Sequence, residues 1–236
     1  MRTIRLLTFL AAGVFGAQAA LIHQYLFNSD LTDSAGAANG SAFGGATVAG
    51  GVLTLNGASQ QYVEFGEYIV PVSGSYTVVL DEQVGAGGFG AGIFELISQG
   101  GGPGFYIGFY GPFFRMGDDW SDNTVSYPQD AAWHRIALVV DAAAPAESRF
   151  YIDGLLAGSV SHTVSTGLSG TNTRFGRQYG SHAEYFTGSL DNVRIFDTAL
   201  SAGEIADLDS GIPEPSTVAL SFLGLTALAT VRRRKR

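Results

Sequence analysis

The side chains able to do chemistry in this 236-residue chain are few, and most are dispersed. His23, His134, His162 and His182 stand far apart, no Cys is present, and no Gly-x-Ser-x-Gly elbow occurs, so no nucleophile and base are spelled out together. His134 reads as a strand-start residue with a structural hydrogen bond. No glycine loop stands between a strand and a helix to cradle phosphate. A retaining glycosidase needs two carboxylates about 5–5.5 Å apart, on one strand an alternate or next same-face pair. Glu64 and Glu67 are three apart and fall on opposite faces, while Glu95 and the Asp81-Glu82 pair stand alone. Carboxylates converging from different strands leave a glycoside hydrolase or lyase open.

Two local clusters carry more. Asp118-Asp119-Trp120-Ser121-Asp122-Asn123 offers hard oxygen ligands of the kind calcium takes, but without the Gly and distal Glu of an EF-hand loop. A solvated acidic loop is its plainer reading. The run from Phe105 to Arg115 has the highest aromatic density in the chain. As a strand it puts Phe105, Ile107 and Phe109 on a core face and Tyr106, Gly108 and Tyr110 on the other, two rings with a gap between them. Such a surface suits the flat apolar faces of sugars, with Arg115 and Trp120 close in sequence to join it. Packing across a sandwich or under a loop is the competing reading.

The elements that must position these residues are strands. Charged residues make up only 14% of the chain and 33 residues are Gly, the balance of an all-β domain with many turns. Short apolar alternations bounded by Gly, Asn, Asp or Ser predict strands over 22–27, 52–55, 61–65, 76–81, 93–98, 105–110, 113–116, 135–141, 149–152, 155–160, 174–175 and 190–196. Tyr76, Val78 and Leu80 alternate with Thr77, Val79 and Asp81, which predicts one buried and one wetter face. Asp153-Gly154 predicts a two-residue hairpin turn. Ser201-Ala202-Gly203-Glu204 fits a capping box, followed by Ile205 and Leu208 on one face of a short helix. The spacing argues for a single sandwich or barrel over residues 20–211.

Charge is segregated. Residues 20–211 hold six Arg, no Lys and twenty acidic residues, a net −14. That sign is wrong for nucleic acid, whose affinity comes mainly from Lys and Arg on phosphates, and disfavours anionic membrane surfaces. Residues 1–19 read as a signal peptide: Arg2 and Arg5, an apolar run, then Ala17-Gln18-Ala19, with signal peptidase expected to cut after Ala19. At the other end Pro213-Glu214-Pro215 precedes an uncharged stretch over 216–231 and the tail Arg232-Arg233-Arg234-Lys235-Arg236. Sixteen residues make a helix of about 24 Å, slightly short of a hydrocarbon core of about 30 Å. The basic tail would stay cytoplasmic, leaving 20–211 outside the inner membrane.

This ending resembles the PEP-CTERM sorting signal of Gram-negative bacteria over residues 212–236, and the resemblance implies processing near Pro213-Glu214-Pro215 by an exosortase-type protease in organisms that make extracellular polysaccharide. The domain has its own resemblance. Trp133-His134-Arg135 through Asp141, Phe150-Tyr151-Ile152-Asp153-Gly154, Phe175-Gly176-Arg177, the run Phe186 to Phe196, Ala199-Leu200-Ser201 and Glu204-Ile205 are similar to the second half of a laminin-G-like domain of the concanavalin A-like superfamily. Tyr25-Leu26-Phe27, Asp33-Ser34-Ala35-Gly36 and Tyr62-Val63 fit its opening. The family implies an all-β jelly-roll sandwich of two antiparallel sheets, the concave one often a ligand face. With it go one short helix near the end of the domain and the C-terminal transmembrane segment. Asp81 stands where many members carry Trp, and Asn192 where an acidic residue is common. The Glu-x-Asp-x-x-Glu run of the superfamily's hydrolases is missing.

The resemblance further implies a structural Ca2+ held by Asp191 with main-chain carbonyls from near Asn28. Apolar Leu190 and Val193 break the alternation around Asp191, which predicts a bulge there. The expected function is a non-catalytic exported module binding extracellular polysaccharide or a surface glycan through Tyr106, Tyr110, Arg115 and Trp120. It would be anchored in the inner membrane first and reach the cell surface or matrix after processing. A carbohydrate-active enzyme and a purely structural matrix protein are the alternatives.

Overall fold

The structure, a computed structural model, describes residues 19–85, 93–101, 104–117, 125–128, 130–164, 170–178 and 184–210. The Asp118–Asn123 cluster with Trp120, the processing residues Pro213, Glu214 and Pro215, the apolar stretch 216–231, the basic tail and residues 1–18 lie outside them. No helix among the described residues is long and apolar enough to cross a membrane.

In chain order the strands are β1 (Leu21–Tyr25), β2 (Ser41–Phe43), β3 (Thr47–Ala49), β4 (Val52–Leu55), β5 (Tyr62–Phe65), β6 (Tyr76–Val84) and β7 (Ile93–Gln99). Then come β8 (Phe105–Tyr110), β9 (Phe113–Met116), β10 (Trp133–Asp141), β11 (Glu147–Ile152), β12 (Leu155–Val160), β13 (Thr173–Phe175) and β14 (Gly188–Phe196), followed by the helix α1 (Ala202–Ser210). They form two antiparallel sheets, as a jelly-roll sandwich requires. The larger runs β12-β11-β10-β6-β14-β4-β3, with β1 also on β14, and the smaller runs β2-β5-β13-β7-β8-β9. β2 and β3, three residues each, were not expected.

Between the sheets lies an aromatic core. Tyr25, Phe65 and Phe175 meet at ring-centroid distances of 4.7–5.5 Å, and Phe114 meets Phe150 at 4.1 Å. Phe105, Ile107 and Phe109 join this core as their alternation demands. The Asp153-Gly154 turn has φ of 49° and 77°, the left-handed pair a two-residue hairpin needs. The capping box forms as spelled: Ser201 N–H donates to Glu204 at 2.8 Å, and Glu204 N–H to Ser201 Oγ at 3.2 Å.

One expectation fails. Thr77 and Val79 are as buried as the core face of β6. The reason is α1, which lays Ile205 and Leu208, with Leu200 before it, over Val79, Ala137, Val139, Tyr151 and Phe196 and makes a second core outside the larger sheet. Ala19, the expected cleavage residue, packs at the edge of this layer.

Buried charges pin the chain elsewhere. Asp33 accepts main-chain N–H bonds from Gln24, Ala35, Gly36 and Ala38, and meets His23 Nδ1 at 2.6 Å. Burial opposes its charge, but His23 and these N–H groups outweigh it and hold its carboxyl below the usual range. Gly36 is required there, since a Cβ would sit 2.5 Å from Asp33 Oδ2 and 2.7 Å from Ile22 O.

Glu82 is the opposite case. It points inward from β6 between the register partners His134 and Leu190, fully buried, and neither carboxylate oxygen has a hydrogen-bond partner. Burial, reinforced by Asp130 and Asp153, pushes it up from 4.5 to about 8. A raised carboxyl favours the folded state while protonated, so stability falls as pH climbs from about 4.5 toward 8, on the order of 3 kcal/mol by pH 7. We predict that Glu82→Gln melts well above the parent at pH 8 and that the two converge near pH 5. Equal melting temperatures at pH 8 would contradict this account of Glu82.

Candidate functional site

The outer face of the larger sheet is not wholly covered by α1. Beyond the C-terminal end of the helix a cavity of about 540 Å3 opens, lined by Val52, Asp81, Trp133, His134, Arg135, Asp191 and Asn192. Three central strands deliver these residues: β6 brings Asp81, β10 brings Trp133 and Arg135, and β14 brings Asp191 and Asn192, with Asp81 registered against both Arg135 and Asp191.

β14 does this by a break in its ladder. Residues 188–190 pair with β4, residues 193–196 pair with β1, and the register against β6 slips between Asp191 and Arg194. Asn192 sits in the slip at φ 47°. The bulge expected at Asp191 is therefore present, and it turns two successive polar side chains toward the cavity while Leu190 and Val193 stay in the core.

The polar floor is fixed. Arg135 grips Asp81 with two bonds, Nε to Oδ1 at 2.5 Å and Nη2 to Oδ2 at 2.8 Å, and its Nη1 donates to Leu208 O at the C-terminal end of α1 at 2.5 Å. Asn192 Nδ2 donates to Asp81 Oδ2 at 2.9 Å and to Asp191 Oδ2 at 3.1 Å, so those two oxygens lie within about 6 Å of each other. Asp81 does not stand alone, as its place in the chain had suggested. Strand pairing brings Asp191 beside it.

Among the described residues Asp191, unlike Asp81, has no guanidinium in contact. Burial pushes its carboxyl up from 3.8 to about 6, and the charge of Asp81 adds to this. At the rim Trp133 leaves 42% of its surface to solvent. His134, at the cavity's edge, bonds Asp153 at 2.7 Å and Asp130 at 3.0 Å, the structural role expected of it. Its burial disfavours charge, but the two carboxylates prevail and raise its pKa.

The residues expected to stack sugars lie on the other sheet, and they divide. Tyr106 is fully buried, its ring 4.0 Å beneath the Arg115 guanidinium, which is ion-paired in turn with buried Glu95. Tyr110 is 44% exposed, opposite Phe113. Tyr106 and Tyr110 thus do not present one open platform, and the reason is that the outward face of β8 is sealed at its middle. Asn28 is exposed and does not line the cavity that holds Asp191. Trp133, Arg135 and Asp81 were missed as site residues. The available signal was that Asp81 and Asn192 both depart from the family pattern, and the structure joins them by a hydrogen bond.

A family model described as the concanavalin A-like lectin/glucanases superfamily matches residues 56–206. The chain belongs to this superfamily. No curated protein sequence matches it. Among solved structures, domain 4 of AbnA, a GH43 extracellular arabinanase from Geobacillus stearothermophilus solved with arabinotriose, superposes at TM-score 0.63. It is 22% identical, and the match covers 81% of this chain and 98% of that domain. A botulinum neurotoxin type C structure, whose cell entry depends on two ganglioside molecules, gives 0.63 at 15% identity. The binding domain of Paraclostridial Mosquitocidal Protein 1 gives 0.61 at 16%. Each of these two matches covers 81% of this chain but only 51% of the toxin chain. At such identities the likeness is one of fold.

Arg135 is the test of the site's construction. Arg135→Ala strands the mostly buried Asp81 carboxylate and frees the end of α1, and truncating one partner of such a pair costs about 3–5 kcal/mol. We expect a loss near the lower figure, since Asp81 keeps Asn192, measured by chemical denaturation. A loss below about 1 kcal/mol would show that the fork does not hold the helix.

Proposed function

We propose that this chain is a non-catalytic, exported glycan-binding module whose ligand enters the cavity beside Trp133. The observation that carries the reading is an exposed indole set next to a fixed, hydrogen-bonded row of Asp81, Asn192 and Asp191. A sugar ring needs both: a flat apolar surface for its C–H face and rigid acceptors for its hydroxyls. The superfamily and the arabinotriose and ganglioside ligands named for its structural neighbours agree with this reading.

Catalysis is the second reading, because the Asp81–Asp191 spacing approaches that of a retaining glycosidase. Asp81 is a poor nucleophile, however, with both oxygens committed to Arg135 and one also to Asn192. Binding therefore fits the geometry better than hydrolysis.

A glycan array probed with the exported chain, with and without calcium, tests the reading directly. Trp133→Ala should lower affinity for any hit at least tenfold while leaving the melting temperature nearly unchanged. A hydroxyl donating to Asp191 favours the ionised carboxylate, so affinity should rise as pH passes upward through about 6 and be flat in Asp191→Asn. A blank array would return the domain to a structural matrix role, and turnover of a bound glycan would make it an enzyme.

Asp191 is also a half-buried carboxylate with no cation in contact among the described residues, which supports the calcium proposal at this position. Calcium would have to draw Asp191 away from Asn192. A chelator that leaves the melting temperature unmoved would remove that proposal.

For sorting, the PEP-CTERM reading makes exosortase-type processing at Pro213-Glu214-Pro215 the step that frees the domain from the inner membrane. Replacing the three residues by alanine should hold the full-length chain in the membrane fraction. Unchanged release would count against the signal.

A further inference from the structure

Both basic groups that line the cavity are already matched. Arg135 commits two arms to Asp81 and the third to Leu208 O. His134 lies between Asp153 and Asp130. Asp191 is not matched in this way. Its oxygens take the main-chain N–H of Asn192 at 2.7 Å and Asn192 Nδ2 at 3.1 Å, both neutral donors. Among the described residues no cation touches it. Burial and the charge of Asp81 disfavour its ionised form, and Arg135 and Arg194 offset this only in part and without contact.

At the rim of the same cavity stands the exposed indole of Trp133. The face of an indole attracts a cation through its negative quadrupole, more strongly than any other side-chain ring. An indole and an unmatched carboxylate in one cavity are therefore the two parts of an ammonium site. A neutral hydroxyl can donate to Asp191 but leaves its charge uncompensated, and a sugar acid would bring like charge against it. The domain as a whole acts in the same direction. Its net −14, with six Arg and no Lys, draws in a polycation and repels a polyanion before contact.

We propose that the glycan taken by this cavity carries a free amino group, as an N-unsubstituted amino sugar of a cationic polysaccharide, with its ammonium on Asp191 and its ring on Trp133. The donor count allows it. An ammonium has three N–H donors, and each carboxylate oxygen of Asp191 can accept a further bond beside the one from Asn192. Asn192 and Asp81 then hold Asp191 in place while the ligand supplies the missing positive charge. This inference rests on the glycan reading of the same cavity.

Calorimetry on the full chain slightly above pH 6, where Asp191 is ionised, compares three oligosaccharides of equal length. They are built of unsubstituted glucosamine, of N-acetylglucosamine and of a uronic acid. The glucosamine oligomer should bind about tenfold more tightly than either other, the effect of one charge-assisted hydrogen bond. Asp191→Asn should erase that preference. Glu67→Gln, which removes one charge from the segment after β5 on the smaller sheet, should keep it. Failure of the glucosamine oligomer to bind best overturns the proposal. So does a preference that survives Asp191→Asn or that Glu67→Gln abolishes as fully, since either marks a general attraction to an acidic domain. The first comparison uses the parent and decides the matter even if Asp191→Asn misfolds. The glycan reading stands if another glycan binds at the cavity, and it falls with a blank array.

Discussion

The grip of Arg135 on Asp81 is the contact on which both the architecture and the site depend. A guanidinium matched to a carboxylate by two parallel bonds leaves little freedom to either side chain. Here the third arm of the same guanidinium takes a terminal carbonyl of α1, a place where cations are favoured by the helix dipole. One side chain therefore binds two strands and the helix together. The second core beneath α1 depends on that docking, and the cavity beside it takes part of its floor from Arg135 and Asp81.

The bulge in β14 is what turns this brace toward the cavity. A regular strand would alternate Asp191 outward and Asn192 into the core, where an amide would need a partner. The slip lets both side chains face the cavity and lets β14 exchange β4 for β1 as its neighbour. Asn192 then bridges the two carboxylates, which would otherwise oppose each other directly. Its left-handed backbone is a conformation Asn tolerates better than most residues. An acidic residue there would add a third carboxylate to the pair.

Much of this was legible in the sequence. Alternation located most of the strands, turn chemistry fixed the Asp153-Gly154 hairpin, and the broken alternation at Leu190 and Val193 placed the bulge. The site was harder, for a physical reason. Asp81, Trp133, Arg135 and Asp191 come from strands far apart in the chain, and nothing local encodes their register. The same limit explains Tyr106. A strand pattern shows which face a side chain takes, but not whether Arg115 and Glu95 arrive to seal that face. The buried outer face of β6 could not be read either, because an alternation cannot announce that a helix will later cover its polar side.

The ionisable groups then pull the domain in two directions. Asp33, held below its usual range, stabilises the fold above the carboxylate range and loses that contribution in acid. Glu82 and Asp191, both raised, lose stability as pH climbs, the first toward about 8 and the second through about 6. His134, raised by its two carboxylates, contributes fully below its unfolded value and loses that contribution as pH rises through its folded one. Taken together these four groups favour the fold most just above the range where Asp33 protonates, since Glu82 and Asp191 begin to cost stability as soon as their unfolded carboxyls would ionise. The binding proposed at the cavity asks for something else, since Asp191 accepts hydrogen bonds best when charged, above about 6. A half-buried carboxylate raised at some cost to folding, on the floor of a cavity to which three central strands each bring a polar side chain, is what the proposed binding role would ask of Asp191.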